Sequence, residues 1–224
     1  PNDDNGYDIS VYKGIMSEFG TMNDFDQLLS SIHQRGMKLI LDLVVNHTSD
    51  EHPWFIESKS SKASAKRDWY IWADPKPDGS EPNNWESIFN GSTWEFDEST
   101  KQYYFHLFSK KQPDLNWENP DVRQAVFDMM NWWFEKGIDG FRVDAITHIK
   151  KNFEAGDLPI PDGKKFAPAF DVDMNQPGIQ EWLQEMKDKS LSRYDIMTVG
   201  EANGVTPNDA EEWVGEEKGK FNMI

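Results

Sequence analysis

Two residues of opposite charge lie two positions apart in an otherwise apolar stretch, the segment Gly140 to Ile146. Side chains alternate between the two faces of a β-strand, so a strand here places Arg142 and Asp144 side by side. Burying an ion pair is costly and adds little stability, so its presence in an apolar strand indicates a functional site. Taken alone, the segment is equally compatible with a surface ion pair on an edge strand.

Polar residues also occur near the carboxyl ends of two other predicted strands. Asn46 and His47 follow an apolar run over 37–45, and Glu201 lies in the strand predicted over 196–202. Parallel α/β enzymes keep their active sites at this end of the sheet. His47 alone is compatible with a structural histidine, and Glu201 alone with a carboxylate at a helix entrance. Their coincidence with Asp144 on three consecutive strands favours one shared site.

Asp144 and Glu201 are predicted to stand on neighbouring parallel strands, about 4.8 Å apart. Carboxylates about 5–5.5 Å apart are typical of retaining glycosidases, where one attacks the anomeric carbon and the other protonates the leaving oxygen. We expect Arg142 to keep Asp144 ionised as the nucleophile, and Glu201 to hold a proton in a less charged setting. A metal site is the competing interpretation, but no third carboxylate ends a strand.

These residues need regular elements to position them. Apolar periodicity and capping residues predict helices over 21–36 and 119–137, a third that opens at Asn175, and a last one near Asn208. The strands that alternate with them are predicted over 37–45, 140–146 and 196–202. This order indicates β/α units around a parallel sheet, although three strands do not close a barrel.

The alternation stops between Ser49 and Trp117. A plain loop of that length is implausible, so we expect an inserted irregular unit of short strands and loops, with its best strand over 103–108. The segment is rich in tryptophan: of the 10 in the chain it contains Trp54, Trp69, Trp72, Trp85, Trp94 and Trp117.

Composition narrows the classes of partner. The chain has 23 Lys and Arg against 40 Asp and Glu, a formal charge of −17, which argues against nucleic acid or an anionic membrane. It has no cysteine, which excludes disulfides and thiolate metal sites and favours a cytoplasmic location. No apolar run approaches the roughly 20 residues of a membrane span. Residues Pro1 to Gly6 are neither a translation start nor a secretion signal, so we expect sequence to precede them.

Three segments resemble signature regions of the α-amylase superfamily, glycoside hydrolase family 13: Asp42–His47, Gly140–Asp144 and Val199–Ala202. Gln112–Asn116 and Pro1–Ser10 resemble the oligo-1,6-glucosidase and α-glucosidase branch. The resemblance implies an α/β fold, a partial (β/α)8 TIM barrel of about strands 3 to 5 with an inserted domain B. The expected division is barrel over 1–48, domain B over 49–117 and barrel again over 118–224.

The resemblance also implies roles for individual residues. Asp144 is the expected nucleophile and Glu201 the expected acid/base. The residues expected to line a pocket for the terminal glucose are Asp4, Tyr7, His47, Phe89, Phe108, Gln112 and Arg142. Phe89 and Phe108 are also compatible with core aromatics, and Asp4 with a turn. Ala145 follows the nucleophile and in this branch favours maltose-like α-1,4 substrates.

The resemblance therefore implies a retaining exo-α-glucosidase that acts on short α-1,4 or α-1,6 glucosides without a cofactor. The alternatives are a sucrose isomerase or other transglucosidase and, less favoured because both carboxylates are present, a non-catalytic transporter subunit. The expected partner is an oligosaccharide or disaccharide. A structural calcium site found in some members would lie outside this chain.

The family also uses a later Asp, preceded by His, that grips the glucose, and no such segment occurs in these 224 residues. We expect other sequence or another chain to supply it with the remaining strands. The isolated chain is therefore predicted to be inactive. Turnover of p-nitrophenyl α-glucoside by the purified 224 residues would contradict this.

Overall fold

The computed structural model describes residues 1–224. In chain order its helices and strands are α1 (Met22–Gln34), β1 (Ile40–Val44), α2 (Pro53–Lys59), β2 (Trp72–Ala73), β3 (Trp94–Asp97), β4 (Gln102–Phe105), α3 (Pro120–Lys136), β5 (Gly140–Asp144), α4 (Phe170–Asp173), α5 (Ile179–Lys189), β6 (Met197–Gly200) and α6 (Ala210–Val214). None of the helices is long and apolar enough to cross a lipid bilayer. The expected cytoplasmic location stays a prediction.

The parallel sheet has the strand order β1-β5-β6 and carries the predicted chemistry at its carboxyl edge. The central strand starts at Gly140. This position requires glycine, because a Cβ there would lie 1.8 Å from the carbonyl oxygen of Met197 on β6. This close approach sets the register. Val44 pairs with Asp144, and Val143 pairs with Gly200, so the strand ends meet at one edge.

Capping chemistry places the helix ends where the sequence predicts them. Thr21 and Asp24 form a reciprocal capping box at the start of α1. Asn119 accepts a hydrogen bond from the Asp121 N–H at the start of α3, and Gly137 ends that helix in the left-handed conformation. The positions of these two helices are therefore confirmed.

The main core lies between the helices and the parallel sheet. On α3 the buried side chains are Val122, Val126, Phe127, Met129, Met130, Trp133 and Phe134. The Phe134 ring packs edge-on against Phe141 of β5, with 5.0 Å between ring centroids. Burial of this apolar face fixes β5 against its helix and leaves the carboxyl end of the strand free for polar side chains.

Several predicted bounds are wrong, each for a local reason. The central strand ends at Asp144, not Ile146, because Ala145 adopts a left-handed conformation with φ of 45°. Ile146 is buried in the 3-10 turn that follows, so its apolar character did not distinguish strand from turn. The first strand begins at Ile40, and Met37 before it is exposed. Helix α5 begins at Ile179, since Asn175 is also left-handed, with φ of 52°.

The predicted irregular segment contains a small antiparallel sheet of order β2-β4-β3 and the unpredicted helix α2. Its best strand ends at Phe105 instead of 108, because the Leu107 N–H leaves the ladder and donates to Asp114 Oδ1 at 2.9 Å. A second core of Trp85, Trp94, Phe105, Leu107 and Ala169 lies beside this sheet. Ala169 belongs to the loop after β5, so the two parts of the chain share this core. The domain bounds stay predictions.

Candidate active site

The two predicted catalytic carboxylates stand at the carboxyl ends of adjacent strands. Asp144 is the last residue of β5. The Glu201 N–H donates to the Val143 carbonyl at 2.9 Å, which extends the ladder by one residue beyond β6. Backbone pairing therefore holds the two carboxylates beside each other, as the sequence predicted.

One guanidinium group contacts three carboxylates at this edge. Arg142 Nη1 donates to Asp42 Oδ1 at 2.9 Å and to Asp144 Oδ1 at 2.6 Å. Its Nη2 lies 3.0 Å from Glu201 Oε2. The expectation of a less charged setting for Glu201 is therefore wrong, because the same cation serves both carboxylates.

The Arg142 contacts occupy only one oxygen of each catalytic candidate. Glu201 Oε2 also accepts the Ala145 N–H at 2.9 Å. The second oxygens, Asp144 Oδ2 and Glu201 Oε1, have no partner within the chain and are not sealed from the cavity. Each carboxylate thus has one anchored oxygen and one that is free to react.

Burial dominates the ionisation of Asp144. The pKa of this carboxyl is raised to about 6: loss of solvent raises it most, the hydrogen bond from Arg142 lowers it, and the charge of Glu201 raises it. Arg142 therefore only partly offsets burial. Asp144 is therefore ionised above about pH 6. The ion pair with Arg142 alone would keep this carboxyl ionised at lower pH, because it lowers the pKa.

The left-handed conformation of Ala145 positions Glu201. With φ of 45° and ψ of 34°, the chain turns immediately after Asp144 and directs the Ala145 N–H at the Glu201 carboxylate. Non-glycine residues in this region carry strain and recur at functional sites. The side chain of Ala145 is buried at the cavity wall.

A cavity of about 640 Å³ lies over the two carboxylates. This volume falls within the roughly 300–1,000 Å³ of small-molecule sites. Nine of the ten predicted site residues line it: Asp4, Tyr7, His47, Phe89, Phe108, Arg142, Asp144, Ala145 and Glu201. Phe89 is 50% exposed there, so it is not a core aromatic.

Gln112 is the predicted lining residue that the structure places elsewhere. It is fully buried, and its Nε2 donates to Asp4 Oδ2 at 2.9 Å and to the Tyr7 carbonyl at 3.2 Å. Gln112 therefore supports the cavity wall from behind, because its amide is used to hold the segment that carries Asp4 and Tyr7.

His47 presents its ring, not a free nitrogen, to the cavity. Its Nε2 donates to the Tyr7 carbonyl at 2.9 Å, and its Nδ1 lies 3.2 Å from the Asn46 amide nitrogen. Burial lowers the pKa of His47, which favours this neutral tautomer. The Phe108 ring packs against it, with centroids 5.1 Å apart.

Sequence reasoning missed several cavity residues. They are Ile88, His148, Phe170 and Met174, whereas Asn203, which also lines the cavity, is compatible from the sequence with isomaltose-type or broad specificity. His148 is a polar residue between buried Ile146 and Ile149, a signal that could have found it. Phe170 begins α4, in the long segment between β5 and α5, where no sequence pattern links it to the strand ends.

A buried lysine joins the carboxyl end of β1 to the irregular segment. Lys151 Nζ lies 2.5 Å from Asp114 Oδ2 and 2.9 Å from Asn46 Oδ1, and its side chain is only 1% exposed.

No group of three or more His, Asp or Glu side chains is arranged to hold a metal ion. The expectation of no cofactor stays a prediction.

The whole chain, residues 1–224, matches the alpha-amylase catalytic domain. The chain belongs to the alpha-amylase catalytic-domain family. Over 224 residues it is 65% identical to a probable oligo-1,6-glucosidase 3 of Bacillus subtilis (strain 168) and 58% identical to an oligo-1,6-glucosidase of Parageobacillus thermoglucosidasius. All of this chain aligns with each of them, and it spans 40% of their length.

Solved structures of this alpha-amylase family have the same fold. The chain superposes on a Bacillus licheniformis trehalose-6-phosphate hydrolase with a TM-score of 0.92 and 48% identity, over 100% of this chain and 39% of that one. It superposes on the trehalulose synthase of Pseudomonas mesoacidophila MX-45 with a TM-score of 0.91 and 42% identity, over 100% of this chain and 40% of that one. The predicted α/β fold, a partial (β/α)8 barrel, is confirmed.

The buried lysine leads to a stability prediction. Replacing Lys151 by Met leaves the Asp114 carboxylate buried without its cation, which costs roughly 3–5 kcal/mol. We expect the full-length Lys151→Met protein to unfold at correspondingly lower urea concentration. The matched control is Lys62→Met, which breaks an exposed pair with Asp74 and should leave the unfolding midpoint nearly unchanged. Equal losses in the two variants would contradict the role of Lys151.

Proposed function

We propose that the protein is a retaining, exo-acting α-glucosidase that releases glucose from short α-glucosides. One observation carries the proposal: two carboxylates on adjacent strand ends share a single guanidinium, and each keeps one free oxygen towards a sugar-sized cavity. The relatives named as oligo-1,6-glucosidases support the same reaction class.

Asp144 is the proposed nucleophile and Glu201 the proposed acid. Asp144 Oδ2 attacks the anomeric carbon while the bond from that carbon to the leaving-group oxygen breaks. Glu201 Oε1 gives its proton to the departing oxygen. The products of this step are a glucosyl ester on Asp144 and a free alcohol or sugar.

Water completes the reaction with the roles of Glu201 reversed. The Glu201 carboxylate takes a proton from water, whose oxygen attacks the anomeric carbon and breaks the ester. Negative charge thus moves from Asp144 to Glu201 and back. Arg142 contacts both groups and stabilises the charge in either place without moving. The mechanism needs no cofactor.

The remaining predicted residues bind the terminal glucose in this proposal. Asp4 offers carboxylate oxygens to sugar hydroxyls, and its orientation is set by Gln112. The Tyr7 hydroxyl donates a hydrogen bond to Asp42, and Tyr7 also lines the cavity. Phe89 and Phe108 pack edge-to-face, 5.8 Å apart, and give an apolar surface for a sugar ring.

The preferred linkage is the open part of the proposal. The resemblance assigns Ala145 to maltose-like α-1,4 substrates, whereas the names of the two bacterial relatives favour α-1,6 bonds. Ala145 lines the cavity that also contains both carboxylates, which supports a role for its side chain in linkage preference. We therefore propose a substrate class of short glucosides with either linkage.

The raised pKa of Asp144 leads to a pH prediction. The nucleophile must be ionised, so kcat/KM of the full-length protein should fall as the pH drops through about 6. Asp42→Asn removes a charge that raises this pKa, so its acid limb, measured with α-glucosyl fluoride, should move to lower pH. A wild-type limb that stays level down to pH 4.5, about 1.5 units below that value, would refute the assignment.

The reaction class is tested by products. Isomaltose and maltose should each yield glucose, and the first-formed anomer should be α when observed by NMR. Release of β-glucose would exclude the retaining mechanism. No glucose from either disaccharide or from α-glucosyl fluoride would exclude the proposed function altogether.

A second candidate is a sucrose isomerase or other transglucosidase. The structural likeness to a trehalulose synthase, with a TM-score of 0.91, supports it. The same glucosyl ester would pass to a sugar hydroxyl instead of water. Isomaltulose or trehalulose as the main product from sucrose, with little free glucose, would favour this candidate over hydrolysis.

A further inference from the structure

A second cavity, of about 500 Å³, lies outside the active site. One of its walls is the irregular segment, with Asp68 and Asn116, and the other is the loop after β5 together with the segment that leads into α5. It shares no residue with the cavity over Asp144 and Glu201. Its volume is within the range of small-molecule sites, and the mechanism proposed above makes no use of it.

The indole nitrogen of Trp182 is a donor without an acceptor in the chain. Other buried tryptophans, among them Trp85, Trp117 and Trp133, donate to backbone carbonyls. Trp182 is only 9% exposed and lines the second cavity, yet its Nε1 makes no such bond and is not sealed inside the protein. Buried indole N–H groups usually find a partner, so this donor is left for a group outside the chain.

Gln176 leaves an acceptor on the same side of the cavity. Its Nε2 donates to the carbonyl oxygens of Asp171 and Met174, both at 2.9 Å, which fixes the orientation of the amide. Its Oε1 has no partner within the chain, although Gln176 is only 8% exposed and lines the cavity. Buried polar atoms are normally hydrogen-bonded, so this oxygen is also left for an external group.

Asp68 adds an unpaired carboxylate on the opposite wall. The side-chain amides of Asn116 and Asn119 donate to the Asp68 backbone carbonyl at 2.9 Å and 3.2 Å, which holds the residue in place. Its exposed carboxylate makes no hydrogen bond or ion pair within the chain. An ionised carboxylate only accepts hydrogen bonds, so it suits a ligand that carries hydroxyl groups.

The two lysines of the cavity are already paired. Lys150 Nζ lies 2.8 Å from Glu118 Oε1 and 3.9 Å from the centroid of the Trp182 ring. Lys151 is held by Asp114. An anionic ligand would therefore meet no unpaired cation here, and the formal charge of −17 opposes it as well.

We propose that this cavity is a second carbohydrate-binding site, which holds a short neutral oligosaccharide apart from the active site. Sugar hydroxyls both donate and accept, so they match the Trp182 donor and the acceptors of Gln176 and Asp68. The aromatic side chains of the walls give apolar contact area for the C–H groups of a sugar ring: Tyr70, Trp72, Trp117 and Phe153. This second site goes beyond the proposed function and does not depend on which residues perform catalysis.

The test observes Trp182 directly in the full-length protein. The protein contains isotope-labelled tryptophan, and its indole N–H signals are followed by NMR while maltotriose or isomaltotriose is added. Trp182→Phe removes the donor and keeps an aromatic ring, so the signal that disappears in this variant is that of Trp182. All proteins carry Glu201→Gln, which removes the proposed acid and keeps the sugars intact.

We expect at least one of the two trisaccharides to shift the Trp182 signal saturably. Asp68→Ala should raise the dissociation constant about tenfold, the loss of one hydrogen bond to a charged group. The matched control is Asp162→Ala, which removes another exposed carboxylate that lines neither cavity and should leave the constant unchanged. Asp4→Ala alters only the active-site cavity and should also leave it unchanged.

Four results would overturn the second site. The first is a Trp182 signal that neither trisaccharide moves. The second is a shift that is lost in Asp4→Ala, because the response would then come from the active site. The third is a dissociation constant that Asp68→Ala leaves as unchanged as Asp162→Ala does. The fourth is a shift with spermidine but with neither trisaccharide, which would assign the cavity to a cation. None of these results bears on whether the protein hydrolyses α-glucosides.

Discussion

The structure around the active site depends on one cation placed among three carboxylates. Arg142 stands on the central strand, contacts Asp42 on one side, and reaches Asp144 and Glu201 at the strand ends. Three negative charges within a few ångströms would repel each other strongly in a partly buried setting. The guanidinium has enough donors, in a fixed planar arrangement, to hold all three. It therefore sets the geometry of the site as well as its charge.

This arrangement suits a reaction that moves one negative charge between two carboxylates. Because Arg142 contacts both, the stabilising charge does not have to relocate during the proposed cycle. Burial and the ion pair act in opposite directions on Asp144, and burial prevails, so the pKa rises to about 6. The carboxylate that we propose as the nucleophile is thus not overstabilised, which would make it a weak one.

Buried polar groups outside the cavity connect the irregular segment to the barrel strands. Lys151 joins Asp114 to Asn46, and Gln112 joins the chain that follows β4 to the segment that carries Asp4. Each contact is satisfied within the protein, as buried polar groups require. The cavity walls come from segments far apart in sequence, and these contacts hold them at fixed positions.

The sequence by itself determined the features that local chemistry controls. Alternation along a strand put Arg142 and Asp144 on one face, and capping residues placed α1 and α3. It also placed Glu201 at the end of the next strand, because the strand ends of β/α units meet at one edge.

Only the tertiary structure decided what long-range packing controls. The contact between Asp42 and Arg142 joins residues 100 positions apart, and no local pattern specifies it. Burial depends on distant neighbours, so the sequence did not reveal that Gln112 lies behind the cavity or that the pKa of Asp144 rises. His148 and Phe170 reach the cavity for the same reason: the loop after β5 folds back over the strand ends through contacts that form only in the folded chain.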